Sequence, residues 1–127
     1  MTKVKFKKLE LSDHEYVRTY RNKRQSFDVP SLIQFAKDKK YVTFIMPLAA
    51  VDMSKLMWRI ESMTDIAIHF DRVTKTDISI PIIIDDCGCI CDGWHRVMKA
   101  IIRGKESIPA IRLLEMPYPS KEEDVES

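Results

Sequence analysis

The sequence predicts an α+β domain, a small mixed sheet with covering helices, on three observations. Between residues 41 and 114, β-branched runs and amphipathic stretches alternate in the order strand, helix, hairpin, helix, strand. Two further helical stretches stand in front of them. The chain has 127 residues at 45% hydrophobic content, enough for one core that folds alone.

At the N-terminus, Val4, Phe6, Leu9 and Leu11 alternate loosely with charges in "VKFKKLEL", the pattern of an edge strand. Ser12 followed by Glu15 reads as a capping box and predicts a helix over residues 13–24. Its apolar content (Tyr16, Val17, Tyr20) is thin, so it belongs on the surface. Asp28 as a cap and Pro30 in the first turn open a second helix, which carries Leu32, Ile33, Phe35 and Ala36. Its lysines fall in the last turn, where cations suit the helix dipole. "YVTFIMPLAAV" (41–51) reads as a buried strand.

Next, Leu56, Ile60, Met63, Ala67 and Phe70 recur at spacings of four and three. They predict an amphipathic helix over 54–73, capped by Asp52 or Ser54. A strand from Ile80 to Ile84, a turn at Asp85-Asp86-Cys87-Gly88 and a return strand from Cys89 to Cys91 form a hairpin. The helix from Gly93 to Arg103 should turn Val97, Ala100 and Ile101 inward and stop at Gly104. "SIPAIRLL" (107–114) is the last strand. The expected division is a basic N-terminal helical extension (1–42), the α+β domain (43–114) and an acidic tail without fixed structure (115–127).

Charge narrows the classes of function only a little. A net charge of +2 is too weak to argue for nucleic acid by itself. Residues 1–42, however, hold eleven Lys/Arg against five Asp/Glu, and the rest of the chain ten against fourteen. Tyr16, Arg18, Tyr20, Arg21, Lys23 and Arg24 could track a nucleic-acid backbone or simply form a solvated face. No stretch approaches the roughly 18 apolar residues of a membrane span, and no apolar run follows the basic Met1–Lys8. The three cysteines, an odd number crowded into residues 87–91, make no disulfide framework. A cytoplasmic protein with no membrane partner is expected. The cysteines alternate, which predicts small buried thiols on one strand face; their spacing is not that of a zinc site, and no metal site is expected.

One short stretch invites chemistry: Asp92-Gly93-Trp94-His95-Arg96, where a strand hands over to a helix. The first N–H groups of a helix lack intrahelical partners, so such a turn can hold an anion. Gly93 would let a phosphate approach the backbone, and His95 and Arg96 would add cationic donors. The bland alternative is a sharp turn needing positive φ, followed by two solvated side chains. Asp92 reads equally as a general base, a Mg²⁺ ligand or the helix cap. Trp94 is either a stacking surface or packing. Asp85 and Asp86 read as turn residues, and His69 as a core-edge residue.

"PIIIDDCGCICDGWHRVMKAIIRGKESIPAIRL" resembles the core of the ParB/sulfiredoxin superfamily, and "FIMPLAAVDMSKL" looks like that family's preceding strand and helix start. The resemblance covers roughly residues 43–114. It rests on the Pro-Ile-x-x-Asp strand, the Gly-containing hairpin, the Gly-x-x-Arg turn, the Gly that ends the helix and the Ile-Pro strand. ParB proteins carry Gly-Glu-Arg-Arg at this turn and bind CTP or related nucleotides. Sulfiredoxins carry Gly-Cys-His-Arg and use the cysteine. A branch with Asp-Gly-His-His-Arg includes ATP- or ADP-dependent kinases, and Asp92-Gly93-Trp94-His95-Arg96 is most similar to it. Trp94 stands where the sulfiredoxin nucleophile would be, and an indole cannot replace that thiol. The Asn-Pro-Arg motif of ParB members is absent.

The resemblance implies a nucleotide-binding domain that takes ATP or CTP, with Mg²⁺ as a possible companion. Gly93, Trp94, His95 and Arg96 would hold the phosphates, and Asp92 and His95 would be the catalytic candidates for phosphoryl transfer or hydrolysis. The competing expectation is a non-catalytic module that binds nucleic acid or protein through residues 1–42.

Overall fold

The computed structural model describes residues 19–22, 25–117 and 121–122. In chain order the elements are β1 (Thr19–Asn22), β2 (Gln25–Asp28), α1 (Val29–Lys39), β3 (Thr43–Pro47), α2 (Met63–Lys75), β4 (Ile82–Ile84), β5 (Ile90–Asp92), α3 (Trp94–Ile102), β6 (Ser107–Arg112) and β7 (Lys121–Glu122). A 3-10 turn at Leu48–Ala50 follows β3. The result is an α+β fold built on a mixed sheet in the order β3-β6-β4-β5. β6 is antiparallel to β3 and parallel to β4, and β4 is antiparallel to β5.

Period-2 alternation along the central strands builds two cores, one on each face of the sheet. On one face Ile82 and Ile84 of β4 and Ile108 and Ala110 of β6 pack with Val97 and Ala100 of α3, joined by Met46, Leu48 and Ile90. On the other, Ile83, Cys91 and Leu113 pack with Leu32 and Ala36 of α1. β4 is therefore buried on both faces, which is why its sequence is an unbroken run of isoleucine. Asp28 starts α1 by accepting the Ser31 N–H at 3.2 Å, and Lys37 and Lys39 occupy its last turn. α1 lies before the expected boundary at residue 42, yet it supplies one of the two cores.

Several expectations are corrected. Residues 19–22 are strand, not part of a helix over 13–24: they pair antiparallel with β2, from Thr19↔Asp28 to Asn22↔Gln25. Pairing with a neighbouring strand outweighs a capping box whose helix had little apolar surface to bury. Residues 4–11 and 13–18 lie outside the described residues. Residues 121–122, inside the tail expected to lack structure, form β7 and pair with β2. The expected buried strand at 41–51 is the edge strand β3, within which only Met46 is buried.

The helix expected over 54–73 starts only at Met63. Ser62 caps it, its Oγ accepting the Asp65 N–H at 3.1 Å. The Asp65 carboxylate in turn accepts the Glu61 N–H at 2.8 Å. Asp52 instead holds Ser54 in a local turn. Leu56, Met63 and Phe70 of the expected stripe are exposed, and the buried face of α2 is Ile68, His69 and Val73. Of the expected inward face of α3, Ile101 is exposed. Cys87 and Cys89 are exposed too, and only Cys91 is buried. The turn occupies residues 86–88, and the register slips from Ile83↔Asp92 to Ile84↔Ile90, which breaks the alternation that would put three thiols on one face.

Candidate functional site at the start of the third helix

Gly93 joins β5 to α3 with φ +114°, a conformation that side chains other than glycine's rarely adopt. A Cβ there would collide with Ile82, lying against Cγ2 and 2.8 Å from Cβ. The close approach that requires glycine is thus to a core strand. No side chain caps the helix, so its first-turn N–H groups stand beside a cavity that Gly93, Trp94 and His95 help to line.

Arg96 is turned the other way. It is buried, and Nη1 donates to the carbonyls of Ile80 (3.1 Å) and Pro81 (2.7 Å). Nη2 forms an ion pair with Asp92 at 2.7 Å, both side chains 9% exposed. The guanidinium ties the start of α3 to the approach to β4 and to the end of β5. Asp92 is neither the helix cap nor an exposed base, since its carboxylate is committed to Arg96.

His95 meets a residue that the sequence marked only as a core-edge histidine. Its Nε2 lies 2.9 Å from Nδ1 of His69, which is buried on α2. Trp58, from the irregular segment before α2, lies flat across both rings. Its centroid is 4.4 Å from His69 with planes 7° apart, and 4.5 Å from His95 with planes 13° apart. The two imidazoles are themselves only 14° from coplanar. Burial, then the nearby Arg72 charge, holds His69 below the ordinary imidazole range, against a smaller upward pull from Asp65. Lys99, one turn further along α3, donates to the carbonyls of Thr74 (3.0 Å) and Thr76 (2.6 Å) at the end of α2. Together these contacts fasten α2 alongside α3.

The adjoining cavity has a volume of about 1070 Å³. Lys37 of α1, Arg72 and Lys75 of α2, and His95 and Arg96 of α3 line it, with Trp58, Trp94 and Ile83 among its apolar walls. Among the described residues Asp92 is the one carboxylate on this lining, and Arg96 neutralises it. Trp94 packs on the core cluster as well as lining the cavity, and its Nε1 is buried with no partner among the described residues.

The structure therefore brings Asp92, Gly93, Trp94, His95 and Arg96 to one cavity, with Arg96 and Asp92 serving its frame. Elsewhere, Asp85 is wholly buried and its Oδ1 accepts the N–H groups of Cys87 (2.9 Å) and Cys89 (2.8 Å), a turn role. Asp85, Asp86 and Cys87 bring one ligand atom each within 4.8 Å of one another, but that turn already engages Asp85. The Asp86 charge, with burial second, raises the Cys87 pKa, and burial raises that of Cys91, so neither is a ready thiolate. Among the described residues no helix is long and apolar enough to cross a membrane. Comparison of the chain with protein-family models, curated proteins and solved structures finds no match.

Proposed function

We propose that this cavity binds a nucleotide of the ATP or CTP class through its phosphates, in a domain of ParB/sulfiredoxin type. One observation carries the reading: basic side chains from three helices line a cavity of about 1070 Å³ beside an uncapped helix start, and among the described residues the only carboxylate on its wall is already paired. Such a site attracts an anion. Its volume suits a nucleotide-sized ligand, and apolar walls are available for a base. The resemblance, over roughly residues 43–114, narrows the anion to a nucleotide.

The phosphate donors in this reading are the first N–H groups of α3, with Lys37 and Lys75 as nearby charges. Arg96 supports the turn from behind. With Asp92 held by Arg96, any proton transfer falls to His95. Calorimetric titration with ATP, ADP and CTP, with and without Mg²⁺, tests the reading. Wild type should bind at least one of them, and Lys37→Glu/Lys75→Glu should lose ten-fold or more in affinity. Binding by neither protein, or equal binding by both, would sink the idea. Phosphate release by wild type extends the reading to hydrolysis or phosphoryl transfer. A salt-dependent shift of DNA without nucleotide binding would favour a nucleic-acid module instead.

A further inference from the structure

We propose that His69 is a positioning residue for His95: the two imidazoles hold one shared proton beneath Trp58, and an anion entering the cavity binds together with a proton taken up by the pair. The inference rests on the anion-binding reading of the cavity and adds to it a residue and a charge state.

The geometry sets the rule. Nδ1 of His69 and Nε2 of His95 face one another at 2.9 Å, so one nitrogen must donate and the other accept. With both rings neutral, a single N–H bridges them. With one added proton the bridge persists as a charge-assisted hydrogen bond, which is shorter and stronger. A second added proton would set two N–H groups against each other, so the pair takes up one proton and no more while it stays intact. Two interacting groups of this kind titrate as a unit.

The surroundings place that proton usefully. Trp58 lies over both rings, and an indole face stabilises a cation beneath it. From α2, Arg72 opposes the added charge and Asp65 favours it. From the segment carrying Trp58, Arg59 and Glu61 pair with each other at 2.8 Å. From β5 and α3, Asp92 and Arg96 pair with each other, while Lys99 is directed to the carbonyls ending α2. Lys37 and Lys75 line the cavity itself. Among the described residues the lining is thus net cationic, which opposes the added proton. An anion at the start of α3 cancels that repulsion and draws the proton in. Nε2 of His95 is committed to His69, so the charge on the ring, not that nitrogen, is what the pair offers the ligand.

The test follows the imidazole signals of wild-type protein by NMR from about pH 8 to 5, with and without sulfate, an anion whose own charge is constant over that range. His14, the remaining histidine, is assigned through His14→Gln. His69 and His95 should share one midpoint and together take up one proton, and saturating sulfate should raise that midpoint by about one pH unit, a ten-fold preference for the protonated pair. In His69→Phe, which retains a flat ring under Trp58, His95 should titrate alone with a different midpoint. Two separate midpoints, each with a full proton, in wild type would overturn the shared-proton unit. A common midpoint that sulfate leaves unmoved would overturn its coupling to anions. ADP calorimetry at about pH 8 judges the nucleotide reading separately, because either result can hold without the other.

Discussion

Arg96 shows how one side chain can look like a ligand donor and act as a frame. Position and type suggested a phosphate clamp, yet its Nη1 and Nη2 atoms meet Ile80, Pro81 and Asp92. Arg96→Ala would leave the Asp92 carboxylate buried without its cation, at a cost of about 3–5 kcal/mol. Thermal or urea denaturation of Arg96→Ala should show that loss; a variant as stable as wild type would contradict the framing role. Nucleotide affinity of this variant is consequently a poor probe of binding, and Lys37 and Lys75 are better ones. What the sequence concealed at this scale was partnership. His69 is 26 residues from His95, and no local spacing connects them. Trp58, likewise, fell inside the helix expected over 54–73 without being singled out.

Among the elements, those specified by local chemistry were legible. Asp28 with Pro30 marks α1, the isoleucine run marks β4, and glycines bracket α3. Elements set by distant contacts were not. β1 depends on β2, and α2 begins late because residues before it carry Trp58 onto His69 and His95. The two glycines around α3 separate local from distant demands. At Gly104, φ is +70° and an added Cβ meets open space, so Gly104→Ala should cost only about 1–2 kcal/mol of backbone strain. At Gly93 the same strain combines with a collision against Ile82, for about 3 kcal/mol or more. Equal melting temperatures for Gly93→Ala and Gly104→Ala would contradict this packing.

For the whole molecule, the small mixed sheet with covering helices was legible in outline because strand and helix periods alternate between residues 41 and 114. The participation of α1 in its second core was not, since a change from basic to acidic composition suggested a boundary that packing ignores. That participation matters for function. α1 brings Lys37, α2 brings Arg72 and Lys75, and α3 brings His95, so the cationic cavity is assembled from three helices separated in the chain. The proposed function requires this cavity, at the start of α3, to hold an anionic nucleotide. The most direct measurement is an amide ¹H–¹⁵N titration with ADP. The account predicts the largest shifts at Gly93, Trp94, His95 and Arg96 and at the Trp58 indole; shifts confined to residues 1–27, or none at all, would contradict it.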